Sequence, residues 1–338
     1  MKRCLVGFSV SLCSFLQALP SGGQVIQGTA TLSKNSSTIE AHGKAIIQWD
    51  QFNIGPGESV SFTQSQPKMG VLNRITGGSL STILGSLEAN CPIYLINGKG
   101  VYIGGNAQIN TAGFIASTAD ISNESFWGQK ELAFHHLQEG EIVNLGAISS
   151  REGDVILIAR SIKNRGRIYA PQGQVILTTT EMVIHPQEKR QIFIRPEKGV
   201  EEGIDNSGLI EAQAIHLETG SPYAHAINHS GVMKTFSIQE EKGRIFLVAH
   251  QGDIAVNGEL TAPSGTIELA AENISVLKEG ALDTSEDYHA GCVTLKGLES
   301  IQVEKGAKFV TNSYLQGDGG EITLWSGEKL IFEGEAQS

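Results

Sequence analysis

The chain has 338 residues, 25 Lys and Arg against 36 Asp and Glu, and a formal net charge of -11. That balance excludes a general nucleic-acid binder, which would need basic residues in bulk to neutralise phosphates, and 18 % charged residues are too few for a disordered polyelectrolyte. Forty glycines in 338 residues, about 12 % against a usual ~7 %, with 6 % aromatics, describe a chain that turns often and packs aliphatic side chains between turns.

In chain order, the first element is a leader. Lys2 and Arg3 precede an apolar stretch from Cys4 to Leu19, broken only by small polar residues and Gln17. This is the layout of a secretory signal peptide over residues 1–18, with cleavage expected between 18 and 23. Removing it removes Cys4 and Cys13 and leaves Cys91 and Cys292. Two cysteines make no disulfide scaffold, so the core must carry the stability. About 200 residues lie between them, which in a stacked fold predicts that they do not pair.

A series of short blocks follows. They are Leu19-Pro20-Ser21-Gly22-Gly23-Gln24-Val25, then Lys44-Ala45-Ile46-Ile47-Gln48-Trp49-Asp50-Gln51-Phe52-Asn53-Ile54-Gly55, then Leu72-Asn73-Arg74-Ile75-Thr76-Gly77-Gly78. Ser81-Thr82-Ile83-Leu84-Gly85, Ile93-Tyr94-Leu95-Ile96-Asn97-Gly98-Lys99-Gly100-Val101 and Gly113-Phe114-Ile115-Ala116-Ser117-Thr118-Ala119-Asp120-Ile121 complete the set. Beyond them the sequence repeats. Asn144, Gly146, Gly153, Val155 and Leu157 recur 20 residues later as Asn164, Gly166, Gly173, Val175 and Leu177. The pattern returns at Ile245/Leu247, Ile267/Leu269, Val293/Leu295 and Ile322/Leu324, and the Asn series continues through Asn206 and Asn228. Longer gaps, such as Thr219–Lys234 and Glu279–Gly291, are read as insertions at turns. Short alternating strands at a fixed period of about 20 residues predict a parallel β-helix, each coil stacked on the last and the Asn residues stacked at a turn. A β-sandwich would show no such phase. The first third is out of register with these repeats.

Within each repeat the Val/Ile and the Leu two positions on face inward. The residues between them face outward: Ile156, Ile176, Phe246, Glu268, Thr294 and Thr323. Because bare apolar stripes are rare, the apolar half of this series predicts an extra element lying on the first coils.

The six ordered blocks over residues 19–150 resemble the amino-terminal, two-partner-secretion domain of filamentous-haemagglutinin-like exoproteins. Gly317-Asp318-Gly319-Gly320-Glu321-Ile322-Thr323-Leu324-Trp325 is similar to the repeat turns of the same proteins. The resemblance implies an all-β fold: a single-stranded right-handed parallel β-helix with an N-terminal cap, with 151–338 continuing its repeats. It implies a secreted or surface protein of a Gram-negative-type cell. The Sec machinery would deliver the chain to the periplasm, and an outer-membrane β-barrel with periplasmic recognition modules would export it unfolded. An adhesin-like role toward a host or neighbouring-cell surface ligand follows. Asn53, Asn73, Asn97, Gly98 and Gly100 are the candidate partner-recognition residues, with the Asn side chains placed at turns. Where the family has Asn-Pro-Asn-Gly, this chain has Asn97-Gly98-Lys99-Gly100, and Gly98 is expected to supply the unusual backbone angle. Where it has Asn-Gly-Gln, this chain has Asn90-Cys91-Pro92.

No cofactor, metal or catalytic residue is predicted. Gly98-Lys99-Gly100 with Gly104-Gly105 lacks the following helix that would hold a phosphate. His225 and His229, with His216 nearby, are placed in a loop beside Ser221-Pro222, without the helix that would converge them on a metal. His135 and His136 are adjacent, and on a strand they would point to opposite faces. A β-helical polysaccharide lyase or hydrolase is the alternative. It would need converging carboxylates, whereas Asp154, Asp253 and Asp318 fall on distant coils. The whole is expected to form about 12–15 coils over roughly 60–70 Å at ~4.8 Å per coil.

Overall fold

A computed structural model describes residues 19–128, 130–185, 190–194, 203–220, 223–236 and 242–338. The leader segment with Cys4 and Cys13 lies outside the described residues, as do Ser221 and Pro222.

The strands stack as a three-sided parallel β-helix. One wall carries the inward column Ala45, Val71, Ile93, Phe114, Val155, Val175, Ile215, Ile245, Ile267, Val293 and Ile322, each in register with the next. These are eleven rungs, so the stack is about 48 Å long at ~4.8 Å per rung, shorter than the 12–15 coils expected. Repeats longer than 20 residues account for the difference. The first third, expected out of register, belongs to the same column from Ala45 onward. Thr219–Lys234 holds two sides of a coil, the strands Tyr223–His229 and Val232–Thr235, with extra residues taken up in a bulge between Tyr223 and Ile227.

The predicted inward phase holds. Val155, Leu157, Val175, Leu177, Ile245, Leu247, Ile267, Leu269, Val293 and Leu295 are fully buried in one continuous core. The N-terminal end is closed by a cap. Strand Gln24–Leu32 runs antiparallel to Thr38–Trp49, and Trp49 packs edge-on against Phe52 beneath it, with ring centroids 5.6 Å apart.

Among the described residues a loop closes between Thr284 and Gly291, within the expected Glu279–Gly291 insertion, and larger excursions leave the stack after Ser117 and after Thr178. These excursions build a separate antiparallel sheet in the order Asp120–Ile121, Leu132–His135, Glu181–His185, Arg190–Ile194. A short helix, Asn123–Gly128, is started by Ser122, whose Oγ accepts a hydrogen bond from the Ser125 N–H at 3.0 Å. This layer covers the outer wall as the apolar outward residues predict. Ile156 and Ile176 are 2 % and 1 % exposed in a second core with Phe126, Phe134 and Met182. Burying each isoleucine contributes roughly 1.5–3 kcal/mol. Cover ends near Phe246, which is half-buried. It tilts against His216 at 5.7 Å, and His216 in turn meets Phe193 of the last strand in the layer at 4.7 Å.

Two basic residues of the helix wall fasten the layer. Lys44 Nζ donates to the carbonyl of Phe126 at 2.6 Å and lies 5.1 Å from its ring centroid. Burial pushes the Lys44 ammonium below its ordinary pKa. Arg74 donates to Asp120 Oδ1 at 2.9 Å, to Asn123 Oδ1 at 2.8 Å and to the Ile121 carbonyl.

Candidate functional site

The five candidate recognition residues separate into two places. Asn53 and Asn97 clamp the short strand Ser81–Ile83. Asn53 Oδ1 accepts from the Thr82 N–H at 2.8 Å. Asn97 Nδ2 donates to the Ser79 carbonyl at 2.9 Å and to Ser81 Oγ at 3.0 Å, while its Oδ1 accepts from the Lys99 N–H at 2.9 Å. Asn97 is therefore at a turn, with its side chain 2 % exposed. Asn73 is not at a turn. It sits in the middle of Val71–Ile75, fully buried, and its Oδ1 accepts from Trp49 Nε1 at 3.0 Å. The physical reason is the cap: a buried indole N–H needs an acceptor, and Asn73, on the inward position paired with Ile47, is within reach of Trp49 two residues on.

The glycine expectation is also corrected. Gly100, not Gly98, takes the left-handed backbone, at φ 102°, and a Cβ there would stand 2.3 Å from the Glu141 carbonyl. A Cβ at Gly98 would meet Gln138 Cγ at 2.9 Å, so the exposed Gln138 side chain would have to move aside.

A second wall of the helix holds the polar stack. Its inward column runs Ile54, Ile83, Ile103, Asn144, Asn164, Asn206, His229, Val256, Val276, Val303, Phe332. Asn144 Nδ2 donates to Asn164 Oδ1 at 2.8 Å, and Asn164 Nδ2 to Asn206 Oδ1 at 2.7 Å. The series then passes to His229, not to Asn228, which pairs with Asp205 on the outward side. His229 thus lies in a strand and not in the expected loop, and the side chain of His225 lies outside the described residues. Nothing in the composition marks His229; the signal is its place two residues after the inward Ile227.

The remaining polar groups serve local structure. Of His135 and His136 only the first brings its ring to Glu181; His136 lies just past the strand and contributes its main-chain N–H. The His135 Nδ1 lies 2.9 Å from one carboxylate oxygen, and the His136 N–H donates to the other at 2.8 Å. Partial burial pushes the Glu181 carboxyl up, but the hydrogen bonds from His135 and the backbone of His136 and Leu137 outweigh it and hold it below its ordinary range. Glu218 lies between His216 Nε2, at 2.7 Å, and His250. Among the described residues no group of three or more His, Cys, Asp or Glu is placed to hold a metal ion. Asp154 Oδ1 accepts from the Gln174 N–H at 2.8 Å and Asp253 Oδ1 from Asn273 Nδ2 at 2.9 Å, on separate coils. Among the described residues no helix is long and apolar enough to cross a membrane.

The capped parallel β-helix with its docked side layer is the architecture of a β-helical exoprotein secretion domain. The chain belongs to the TPS secretion domain family, whose sequence model matches residues 17–262. It is similar to the heme/hemopexin-binding protein of Haemophilus influenzae (strain ATCC 51907 / DSM 11121 / KW20 / Rd), 32 % identical over 212 residues, covering 59 % of this chain and 23 % of that protein. A second Haemophilus influenzae protein of the same name is 38 % identical over 110 residues, covering 31 % of this chain and 12 % of its own length. The chain thus spans less than a quarter of the curated relatives it matches. Among solved structures it is similar to the HMW1 secretion domain from Haemophilus influenzae, with a TM-score of 0.75 and 25 % identity, covering 94 % of this chain and 98 % of that one.

Proposed function

We propose that this chain is exported by two-partner secretion through a dedicated outer-membrane β-barrel. Its periplasmic modules capture the 19–150 segment before it folds, after the Sec machinery has delivered the chain to the periplasm and the leader has been cleaved between 18 and 23. The exported protein then acts, without catalysis, as an adhesin-type binder at the cell surface or in the medium. The observation that carries this reading is the family match over 17–262 on a fold of one continuous stack. The exposed Tyr288, Tyr314, Leu315 and Trp325 on the C-terminal coils support surface binding. The separation of Asp154, Asp253 and Asp318 onto different coils supports a non-enzymatic role over the lyase alternative.

Capture must read the extended chain, because Asn97 and Asn73 are buried once folding is complete. Strand addition suits an unfolded segment: main-chain groups give affinity and a few side chains set register. Asn53, Asn73, Asn97, Gly98 and Gly100 are the side-chain part of that proposal. Co-expression with and without the cognate barrel tests export; appearance of the chain in the medium without it would end the reading. A synthetic peptide of residues 90–105 tests recognition free of folding. Binding to the isolated periplasmic modules should weaken at least fivefold on Asn97→Ala, and equal binding would assign Asn97 to the folded turn alone.

A further inference from the structure

We propose that His229 makes the middle of the solenoid a proton-sensitive joint, closed by the neutral imidazole and opened by the imidazolium. The amide ladder runs in one direction only. Gly146 N–H donates to Asn144 Oδ1 at 3.1 Å. Each Asn Nδ2 then donates to the next rung, and Asn206 Nδ2 meets His229 Nδ1 at 3.0 Å. Because Asn206 Oδ1 already accepts from Asn164, its Nδ2 is the group facing the ring, so His229 Nδ1 must accept. On the other side Nε2 faces the Glu259 carbonyl at 3.2 Å, an atom that can only accept. Only the neutral ring with its proton on Nε2 satisfies both partners.

A proton added at Nδ1 sets N–H against N–H. Rotating the Asn206 amide by half a turn does not remove the conflict. It moves the clash to Asn164, then to Asn144, and finally to the Gly146 N–H, which is main chain and cannot turn. Protonation therefore breaks the ladder wherever it is relieved. Among the described residues no carboxylate faces the charge either. His229 is 1 % exposed, and its inward neighbours in the column are Asn206 and Val256. The ionisable groups on the strands packed against it lie on the outward phase. Asp205 pairs with Asn228, and Asp253 bonds Asn273. The Glu259 carboxylate lies with Lys234 at 3.4 Å. Burial pushes the imidazole down to about 4 from 6.5, against the opposing pull of the main-chain groups of Glu259 and Asn206.

For a base whose folded pKa is lowered, the unfolded chain takes up the proton first. Stability is therefore full above about 6.5, falls as the pH drops, and levels off below about 4. Over that window the folding equilibrium constant should fall on the order of 100- to 300-fold. The rungs at Asn206, His229 and Val256 should open first, dividing the stack between its amide-laddered half and its aliphatic half. This inference stands independently of the export proposal.

Urea denaturation of the whole chain between pH 7.5 and 4, for wild type and His229→Asn, tests it. Asparagine continues the ladder and does not titrate. The wild type should lose stability through the window relative to the variant; parallel profiles for the two proteins would overturn the proposal. NMR titration of the wild-type ring supplies a measurement that needs no variant. His229 should keep its Nε2 proton alone down to about pH 5, whereas uptake of a second proton near pH 6.5 would overturn the proposal.

Discussion

Asn164→Ala probes the amide ladder at its centre. Asn164 is fully buried, accepts from Asn144 at 2.8 Å and donates to Asn206 at 2.7 Å. Alanine removes both partners at once. Asn206 Oδ1 loses its side-chain donor, and Asn144 Nδ2 keeps only a long contact of 3.5 Å to the Arg167 carbonyl. Each buried group left unsatisfied costs roughly 1–3 kcal/mol, so the variant should lose about 3–4 kcal/mol. Asn53→Ala, which gives up one bond at a half-buried site, should lose about 1 kcal/mol. Urea denaturation of both variants measures the difference. The double variant Asn164→Ala/Asn206→Ala sharpens it. The second substitution removes the acceptor that the first has orphaned, so the pair should cost at least ~1 kcal/mol less than the sum of the singles. Additivity within ~0.3 kcal/mol, or a single-variant loss below ~1 kcal/mol, would refute the view that the ladder is a coupled unit.

Leu177→Asp should abolish folding as followed by circular dichroism, because it sets an unpaired carboxylate in the fully buried column, while Thr294→Asp on the half-buried outer phase should fold with a near-native thermal midpoint. Equal damage would contradict the assigned phase. Under native, non-reducing conditions a maleimide should label Cys292, which is exposed, and spare Cys91, which is buried and whose thiol burial pushes up to about 12. The two stand seven rungs apart, about 34 Å at ~4.8 Å per rung, so a peptide linking them by a disulfide would contradict the stack.

The repeat was legible where two conditions held together: a constant coil length and an alternating strand. Val155 and Val175 satisfy both, and their inward phase follows directly. From Ala45 to Phe114 the strands alternate just as well, but the coils are 26, 22 and 21 residues long and the next step, to Val155, is 41. A side excursion inside a coil destroys the phase without disturbing the rung on which it sits. Asn228 shows a finer failure. Counting 22 from Asn206 lands on an asparagine, yet the ladder follows parity along the strand. Each polar rung stands two residues after an inward isoleucine: Ile142 before Asn144, Ile162 before Asn164, Ile204 before Asn206 and Ile227 before His229. That pattern was present in the sequence, and residue identity masked it. Asn73 was misplaced for a different reason: its role depends on Trp49, a partner 24 residues away, which no local pattern reports.

The position of the polar rungs has its own logic. A column of Ile and Val is tolerant of a slip by one rung, since one aliphatic side chain replaces another at little cost. Register is at greatest risk where the chain leaves the stack and must return to it, as it does between Ser117 and Glu141 and again between Thr178 and Ile204. Asn144 lies on the first strand after the first excursion, and Asn206 on the first strand after the second. Asn164 joins them. A returning strand that docked one rung out of place would take its amide out of line with the other polar rungs and leave donors unpaired, at roughly 1–3 kcal/mol for each orphaned group. The buried amides thus disfavour wrong returns more than they strengthen the right one, and the aliphatic column resumes at Val256, where the coils again follow one another without an excursion onto the side layer.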